Sequence, residues 1–284
     1  MHKFTLKLFF IICISMSMQG CETLKSLGFN KSASDTDDAK YADWNAEKFR
    51  EEAKKAMDAD DYQKAIELYE KLESRYPFGE YAAQTQLDVA YAYYKNNEPE
   101  AAIAAAERFI KIHPRNLSVD YAYYLKGLVN YNRGIGFLER FLPTDASQRD
   151  PGNAKDAYDN FSELVRRFPD SKYVDDSKSR MLYLRNNLAM YQVHVARFYI
   201  QRQAYIAAAN RAANVVENYQ QTPAVPHALV VMEDAYKKLG LNDLASDAAR
   251  VYAQNYPDGP PPAVERTDKS GILTAIWDFI GFDR

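Results

Sequence analysis

The side chains that carry chemistry in enzymes and metal sites are sparse in this sequence, and they do not cluster. The four histidines, at positions 2, 113, 194 and 227, have no cysteine or carboxylate at ligand spacing. The acidic runs "DADD" (58–61) and "TDASQRD" (144–150) lack calcium-loop order and are typical of helix caps and solvated turns. No P-loop, glycine-rich nucleotide turn, HExxH or GxSxG motif is present. The sequence therefore predicts a protein that is not an enzyme and that binds no metal and no cofactor.

The N-terminus has the pattern of a secretory signal peptide over residues 1–20. Lys3 and Lys7 form a basic start, and the mostly apolar stretch that follows, 8–18, is too short to span a bilayer. Removal of this segment would take Cys13 with it. Only Cys21 would then remain, so the mature chain has no disulfide and no cysteine metal site.

The stretch "MQGC" at 18–21 resembles the lipobox of bacterial lipoproteins, in which a cysteine after a small residue is lipidated and becomes N-terminal. Gly20 and Cys21 fit this pattern, whereas Met18 replaces the usual leucine and Gln19 is larger than expected. The resemblance implies a lipid anchor on Cys21. Glu22, where an aspartate would retain such a protein in the inner membrane, implies the periplasmic face of the outer membrane. The alternative is an ordinary cleaved signal with an incidental cysteine.

Composition narrows the class of partner. The formal net charge is -3, so no basic face favours nucleic acid. Tyrosine is unusually frequent, with 22 residues beside 14 phenylalanines, and such an excess either fills a core or lines a surface that grips peptides. Residues 21–43 are rich in Ser, Asp and Lys, and this composition predicts a flexible tether behind the lipidated Cys21.

A repeated phrase dominates the rest of the chain. "YQKAIELYEKLESRYP" (62–77) aligns with four later stretches, and each has an alanine twelve residues before its last position: Ala65, Ala102, Ala157, Ala208 and Ala245. Seven residues after the alanine is an apolar residue, and an aromatic residue or histidine comes just before the end. The shorter alanine spacings, 37 residues, are near the 34 of tetratricopeptide repeats. The pattern predicts an all-α, right-handed superhelical solenoid of five helix-turn-helix units over 44–257.

The longer spacings locate irregularities in this array. Residues 134–153 interrupt the third unit, between an N-terminal half at 44–133 and a C-terminal half at 154–257. The fourth unit begins with one long helix, about Tyr173 to Gln203. It also has Gln220 where the other units have proline, so its second helix is expected to run on by a turn.

Beyond residue 257 the repeat ends. Residues 258–270 form a linker, and 271–284 a short amphipathic helix whose apolar residues 272, 273, 276, 277 and 280 share one face. This helix is predicted to dock on the open end of the last repeat, on a partner subunit or on the membrane.

Two tyrosine runs, "YAYY" at 91–94 and at 121–124, place aromatic rings on every side of a helix. We expect part of these runs to line a groove for substrate peptides, with Tyr91, Tyr94 and Tyr123 as candidates. The alternative for each ring is packing between repeats.

Three stretches carry a family resemblance: "RYPFGEYAAQTQLDVAYAYYKN", "SQRDPGNAKDAYDNFSELVRRFP" and "MEDAYKKLG". They resemble the tetratricopeptide lipoprotein family of the outer-membrane β-barrel assembly machine, over about 45–257. The resemblance implies a non-enzymatic scaffold that promotes barrel assembly and insertion. It would bind a BamA-like barrel protein through a POTRA domain, a BamC-like lipoprotein, and unfolded outer-membrane proteins. Carried over by position, it places substrate at Tyr76 and Gly79, and the BamA-like partner at Arg202 and Arg211.

Two other functions stay open. One is a different tetratricopeptide lipoprotein, such as a secretin pilotin or a cell-division coordinator, which co-purifying proteins would distinguish. The other is an enzyme or a small-ligand protein with an unrecognised site, for which a deep polar pocket would be the sign.

Overall fold

The computed structural model of the protein describes residues 40–133 and 145–262. The predicted signal peptide, Cys21, most of the tether, the first part of the insertion and the 271–284 helix lie outside the described residues. The described ranges contain α-helices and one short 3-10 helix, and no strand. The helices are α1 Ala46–Asp58, α2 Tyr62–Arg75, α3 Ala82–Lys95, α4 Pro99–Ile112, α5 Val119–Asn132, the 3-10 helix Ala146–Gln148, α6 Gly152–Arg167, α7 Val174–Gln201, α8 Tyr205–Asn218, α9 Ala224–Lys238 and α10 Asn242–Asn255.

Contacts divide the chain into two compact units, Met1–Phe49 and Arg50–Arg284. In the described part of the first unit, the ring of Trp44 lies 4.7 Å from that of Tyr41 and 5.2 Å from that of Phe49. Asn45 opens α1 by accepting the backbone N–H of Lys48 at 2.8 Å.

In the second unit, from α2 onward, each helix packs against the helices next to it in the chain. Two further contacts, α3 with α5 and α7 with α9, join alternate helices. This is the packing of stacked helical hairpins, and it confirms the predicted all-α solenoid. Helix α7 spans 28 residues, about 42 Å, and its ends lie within two residues of those predicted.

The alanine register is confirmed. All five register alanines are at most 2% exposed, and each lies one turn into the second helix of its hairpin. An alanine at that position lets two helix backbones approach closely, whereas a larger side chain would hold them apart. The apolar residue seven positions later is buried in four of the five helices, namely at Leu72, Phe109, Leu164 and Val215.

The second helices end in a common way. The aromatic residue or histidine of the phrase is the C-cap in each case, and its N–H bonds the carbonyl of the apolar register residue four positions earlier, as Tyr76 does to Leu72. Helix α8 also follows this rule, because Tyr219 caps it after Asn218. The expectation that α8 would run on at Gln220 is therefore wrong. The aromatic C-cap residue ends the helix, and the proline that follows it in the other units is not needed to end it.

The turns inside the hairpins form a second repeated device. In four of them the residue after the C-cap has a positive φ: Asp60, Asn97, Gln203 and Gly240. The two following N–H groups bond back across the helix end, as Asn97 to Tyr94 and Glu98 to Tyr93 do. This is the Schellman pattern, which satisfies the last carbonyls of a helix. In the third hairpin the residue after the C-cap lies outside the described residues.

Candidate interaction surfaces

A groove of about 590 Å³ with mixed polar and apolar lining lies between α6, α7 and α8. Its lining comes from α7 and from α6 and α8, the second helices of two consecutive hairpins. The lining includes two cations, Lys155 and Arg185, one anion, Asp159, and three amides, Gln192, Asn214 and Asn218. An amide side chain presents a donor and an acceptor together, so this lining suits the backbone of an extended peptide. The cations favour a peptide that carries carboxylates.

Arg211 lies at the rim of this groove. It is exposed on α8, and its Nη1 donates to Oε1 of Gln192 at 2.9 Å. Since Gln192 lines the groove, the guanidinium is held where a ligand in the groove could meet it. Arg185 is fixed in a similar way, by donation to the Asn218 carbonyl at 3.3 Å.

Arg202 lies elsewhere, as the C-cap of α7 in the turn to α8. Its guanidinium is 5.2 Å from the ring centre of Phe198, and that ring is itself 49% exposed. The structure therefore does not bring Arg202 into the groove with Arg211. It forms a separate exposed pair of a cation and an aromatic ring, and the sequence analysis had not singled out Phe198.

Tyr76 and Gly79 lie in the turn from α2 to α3. Tyr76 is half-buried as the C-cap, and the Gly79 N–H donates to its carbonyl at 3.2 Å. A Cβ on Gly79 would come no closer than 3.5 Å to any neighbour, so packing does not require glycine here. Between the two lies Phe78, 98% exposed, and in the next turn along the same edge Leu117 is exposed to the same extent. Sequence reasoning passed over both.

Two of the three candidate groove tyrosines are buried. Tyr91 is 4% exposed and Tyr123 7% exposed, and the ring of Tyr123 packs 5.5 Å from that of Phe168. This corrects the expectation for the second run, where Tyr121, Tyr123 and Tyr124 are all buried. Helix α5 contacts α4 on one side and α6 on the other, and touches α3 as well, so no side of this run is open. Tyr94 is half-buried, and its hydroxyl accepts from Nδ2 of Asn132 at 2.7 Å.

A buried ionic contact ties α5 to α7. The Tyr124 hydroxyl and Nε of Arg180 each donate to Oδ2 of Asp176, both at 2.6 Å. The Arg180 guanidinium also lies 4.7 Å from the ring centre of Tyr131. Burial lowers the pKa of Arg180, but the hydrogen bond to Asp176 outweighs it and the pKa is raised, so the cation persists at every physiological pH.

The acidic run at 144–150 does more than cap its own turn. The Asp145 carboxylate accepts from Ser147, and the Ser147 hydroxyl lies 3.0 Å from Nε2 of His194 on α7. Burial raises the pKa of Asp145, but hydrogen bonds from Ser147 and Gln148 outweigh it and the pKa is lowered. His194 thus meets a carboxylate that no sequence spacing revealed, and the contact fastens the end of the insertion to α7.

Asp88 is a buried carboxyl on α3, 3% exposed. Burial raises its pKa to about 7, although the hydrogen bond that Gln84 donates to Oδ1 and the nearby cations Arg50 and Lys54 lower the pKa.

Among the described residues no group of three or more histidine, cysteine, aspartate or glutamate side chains could hold a metal ion. No helix in the described ranges is both long enough and apolar enough to cross a bilayer.

Stacked helical hairpins define a helical-repeat protein, and the groove and the exposed Phe78 are its candidate interaction surfaces. Over residues 42–251 the sequence matches the family YfiO, described as outer membrane lipoprotein, and the chain belongs to that family.

Relatives from several bacteria carry the description outer membrane protein assembly factor BamD. The protein of Neisseria gonorrhoeae is 42% identical over 254 residues, covering 89% of this chain and 92% of its own. That of Vibrio cholerae is 39% identical over 192 residues, with 68% of this chain and 80% of its own covered. That of Haemophilus influenzae is 33% identical, covering 68% and 74%.

Proposed function

We propose that this protein is an outer-membrane protein assembly factor that acts as a scaffold rather than as an enzyme. Family membership and relatives described as assembly factors over most of the chain support this function. A lipid on Cys21 would hold the scaffold at the periplasmic face of the outer membrane. Unfolded barrel proteins and partner subunits would then bind on different parts of the repeat array.

The C-terminal half is the proposed docking surface for a BamA-like partner. The observation that carries this assignment is the groove between α6, α7 and α8, with Arg211 held at its rim by Gln192. Its cations and amides suit an acidic segment of a folded domain such as a POTRA domain. Arg202 would add a second contact through the exposed ring of Phe198. A BamC-like lipoprotein is a further proposed partner.

The N-terminal half is the proposed side for unfolded substrates. Phe78, between Tyr76 and Gly79, offers an exposed ring in a turn, and Leu117 offers an apolar side chain in the next turn. Such a row suits apolar segments of an unfolded chain, which a folded partner would rarely present. Tyr94 remains a candidate at the edge of this surface. Tyr91 and Tyr123 are buried and are not part of this proposed surface.

Charge reversal tests the partner surface. Arg211→Glu is expected to weaken co-purification with the BamA-like protein at least tenfold, and Arg202→Glu with Arg211→Glu to abolish it, while the helical signal in circular dichroism is kept. Arg250→Glu is the matched control, since Arg250 is an exposed arginine on α10 paired only locally with Asp247. Undiminished co-purification of the double variant would remove both arginines from the interface. Recovery of secretin or division proteins instead would favour a pilotin or a division coordinator.

A further inference from the structure

The last described helix, α10, differs from the other second helices on one face. We define the outer stripe as the positions four and one before the register alanine and six after it, which span about 80° of the helix at 100° per residue. In α10 these positions are Leu241, Leu244 and Val251. In α2, α4, α6 and α8 the same positions hold only alanine or polar residues: Asp61, Lys64, Lys71, Glu98, Ala101, Arg108, Asn153, Asp156, Glu163, Ala204, Ala207 and Asn214.

Two of the three stripe residues on α10 are open to solvent in the described chain, while Val251 packs partly against the buried cluster of α7 to α9. Leu241 and Leu244 are 45% and 46% exposed, and Val251 is half-buried. No helix among the described residues follows α10 to cover them. A single exposed leucine is ordinary, but two leucines and a valine in helical register indicate a surface that another element covers.

The chain supplies an element of matching chemistry. Residues 271–282, "GILTAIWDFIGF", repeat apolar side chains at helical spacing, with Ile272, Ile276 and Trp277 on one face. The 16 residues from Tyr256 to Gly271 can reach about 50 Å, whereas α10 is about 21 Å long. The segment can therefore fold back over the whole stripe. Attachment to the same chain gives it an effective concentration that a separate partner would lack.

We propose that residues 271–282 dock as a helix on the outer stripe of α10 and cap the repeat array. A terminal repeat needs such a cap because the stacking that covers inner hairpins stops there. The cap does not depend on the proposed assembly function, and it would stand if the partner assignments failed.

A double-mutant cycle on the purified full chain tests the cap. Leu244→Glu and Trp277→Glu are each expected to lower the melting temperature by a few degrees, because each removes one side of the same contact. Combined, they should lower it no further than the larger single effect. Ser246→Glu is the control for Leu244→Glu: it adds the same charge to an exposed position of α10 outside the stripe. It should leave the melting temperature within a degree of the parent value and show no coupling with Trp277→Glu.

The remaining outcomes overturn the proposal. Additive effects at 244 and 277, or no effect of Trp277→Glu, would show that the segment does not touch the stripe in the isolated chain, which leaves the stripe to a partner protein. Coupling that appears only as protein concentration rises, together with elution as a dimer, would assign the stripe to a second copy. Both variants change exposed or terminal positions, and circular dichroism at low temperature checks that the helices remain.

Discussion

Two regions of the second unit pack their helices with side chains of opposite size. Around α5 the helices are held together by large rings, with Tyr121, Tyr124 and Phe161 buried among them, and we name this the aromatic layer. From the second half of α7 to α9 the buried residues are mostly alanine and valine, as at Ala208, Ala212 and Val215, and we name this the alanine layer.

The two layers differ in how much polar chemistry they bury to hold the helices in the same register. In the aromatic layer, the tyrosine hydroxyls are buried together with the rings that carry them. The Tyr124 hydroxyl finds Asp176, whereas the buried hydroxyls of Tyr121 and Tyr173 have no hydrogen-bond partner among the described residues. The alanine layer brings in little polar chemistry and relies on close backbone approach. The aromatic layer should therefore be sensitive to lost polar partners, and the alanine layer to added volume.

The largest expected effect is at Arg180, in the aromatic layer. Arg180→Leu leaves the Asp176 carboxylate buried without its cation, and should lower the free energy of unfolding by about 3 kcal/mol or more. The control is Arg250→Leu, because the pair of Arg250 and Asp247 is 60% and 62% exposed and should cost under about 0.5 kcal/mol. Chemical denaturation measures both. Equal losses in the two variants would show that the buried pair has no special weight.

In the alanine layer, Ala208→Leu adds three carbons where helices meet and should cost about 1–3 kcal/mol. Ala102→Leu, in the same register of an earlier hairpin, should cost a similar amount, since both alanines are fully buried. Ala253→Leu on the exposed side of α10 serves as the control and should be nearly neutral. An unchanged melting temperature for Ala208→Leu would mean that the helices there are not in close contact.

Gly127 tests whether the aromatic layer is also tight in places. A Cβ added to it would lie 2.4 Å from the Phe161 ring, so Gly127→Ala should cost about 1–2 kcal/mol despite the better helix propensity of alanine. Gly79→Ala is the matched control, because its Cβ would meet only ordinary contacts. Thermal unfolding compares the two. If Gly127→Ala were as neutral as the control, Phe161 would have room to move.

The smallest change in the free energy of unfolding, counted per pH unit, is expected from Asp88. Its folded pKa of about 7 lies above the ordinary value, so the folded chain holds a proton that the unfolded chain has lost. The contribution of Asp88 to stability is therefore full below about pH 4 and falls by roughly 1 kcal/mol per unit up to about pH 7. Asp88→Asn should remove this slope, with Asp170→Asn, exposed in a turn, as control. A parallel slope in parent and Asp88→Asn would place the titration elsewhere.

The sequence predicted those features that depend on near neighbours. The register alanines, the aromatic helix ends and the length of α7 follow from spacing along one helix, and the structure confirms them. The Schellman turns were missed because only Gly240 carries the usual glycine, while Asp60, Asn97 and Gln203 occupy the same conformation. The end of α8 was missed because proline was taken as the stop, whereas Tyr219 provides it.

The candidate surfaces were less predictable, because burial is decided by helices far apart in the chain. Tyr123 is covered by Phe168 and Arg167, and His194 meets Asp145 across 49 positions of sequence. Neither contact leaves a periodic trace. The exposure of Phe78 was predictable, because an aromatic residue between proline and glycine lies in a turn. The family resemblance pointed instead to its neighbours, Tyr76 and Gly79. Arg211 was placed by resemblance alone, and its position at a groove emerged only from the packing of three helices.

The neighbour-to-neighbour packing of α2 to α10 also has a kinetic consequence. Nearly every helix contact joins segments that are adjacent in the chain, so contact order is low and little loop entropy must be lost before the first contacts form. Such a chain can begin to fold at any hairpin rather than at one obligatory nucleus. It should also open from its ends. The hydrogen-exchange protection of α10 should therefore be lost before that of α5, which has neighbours on both sides.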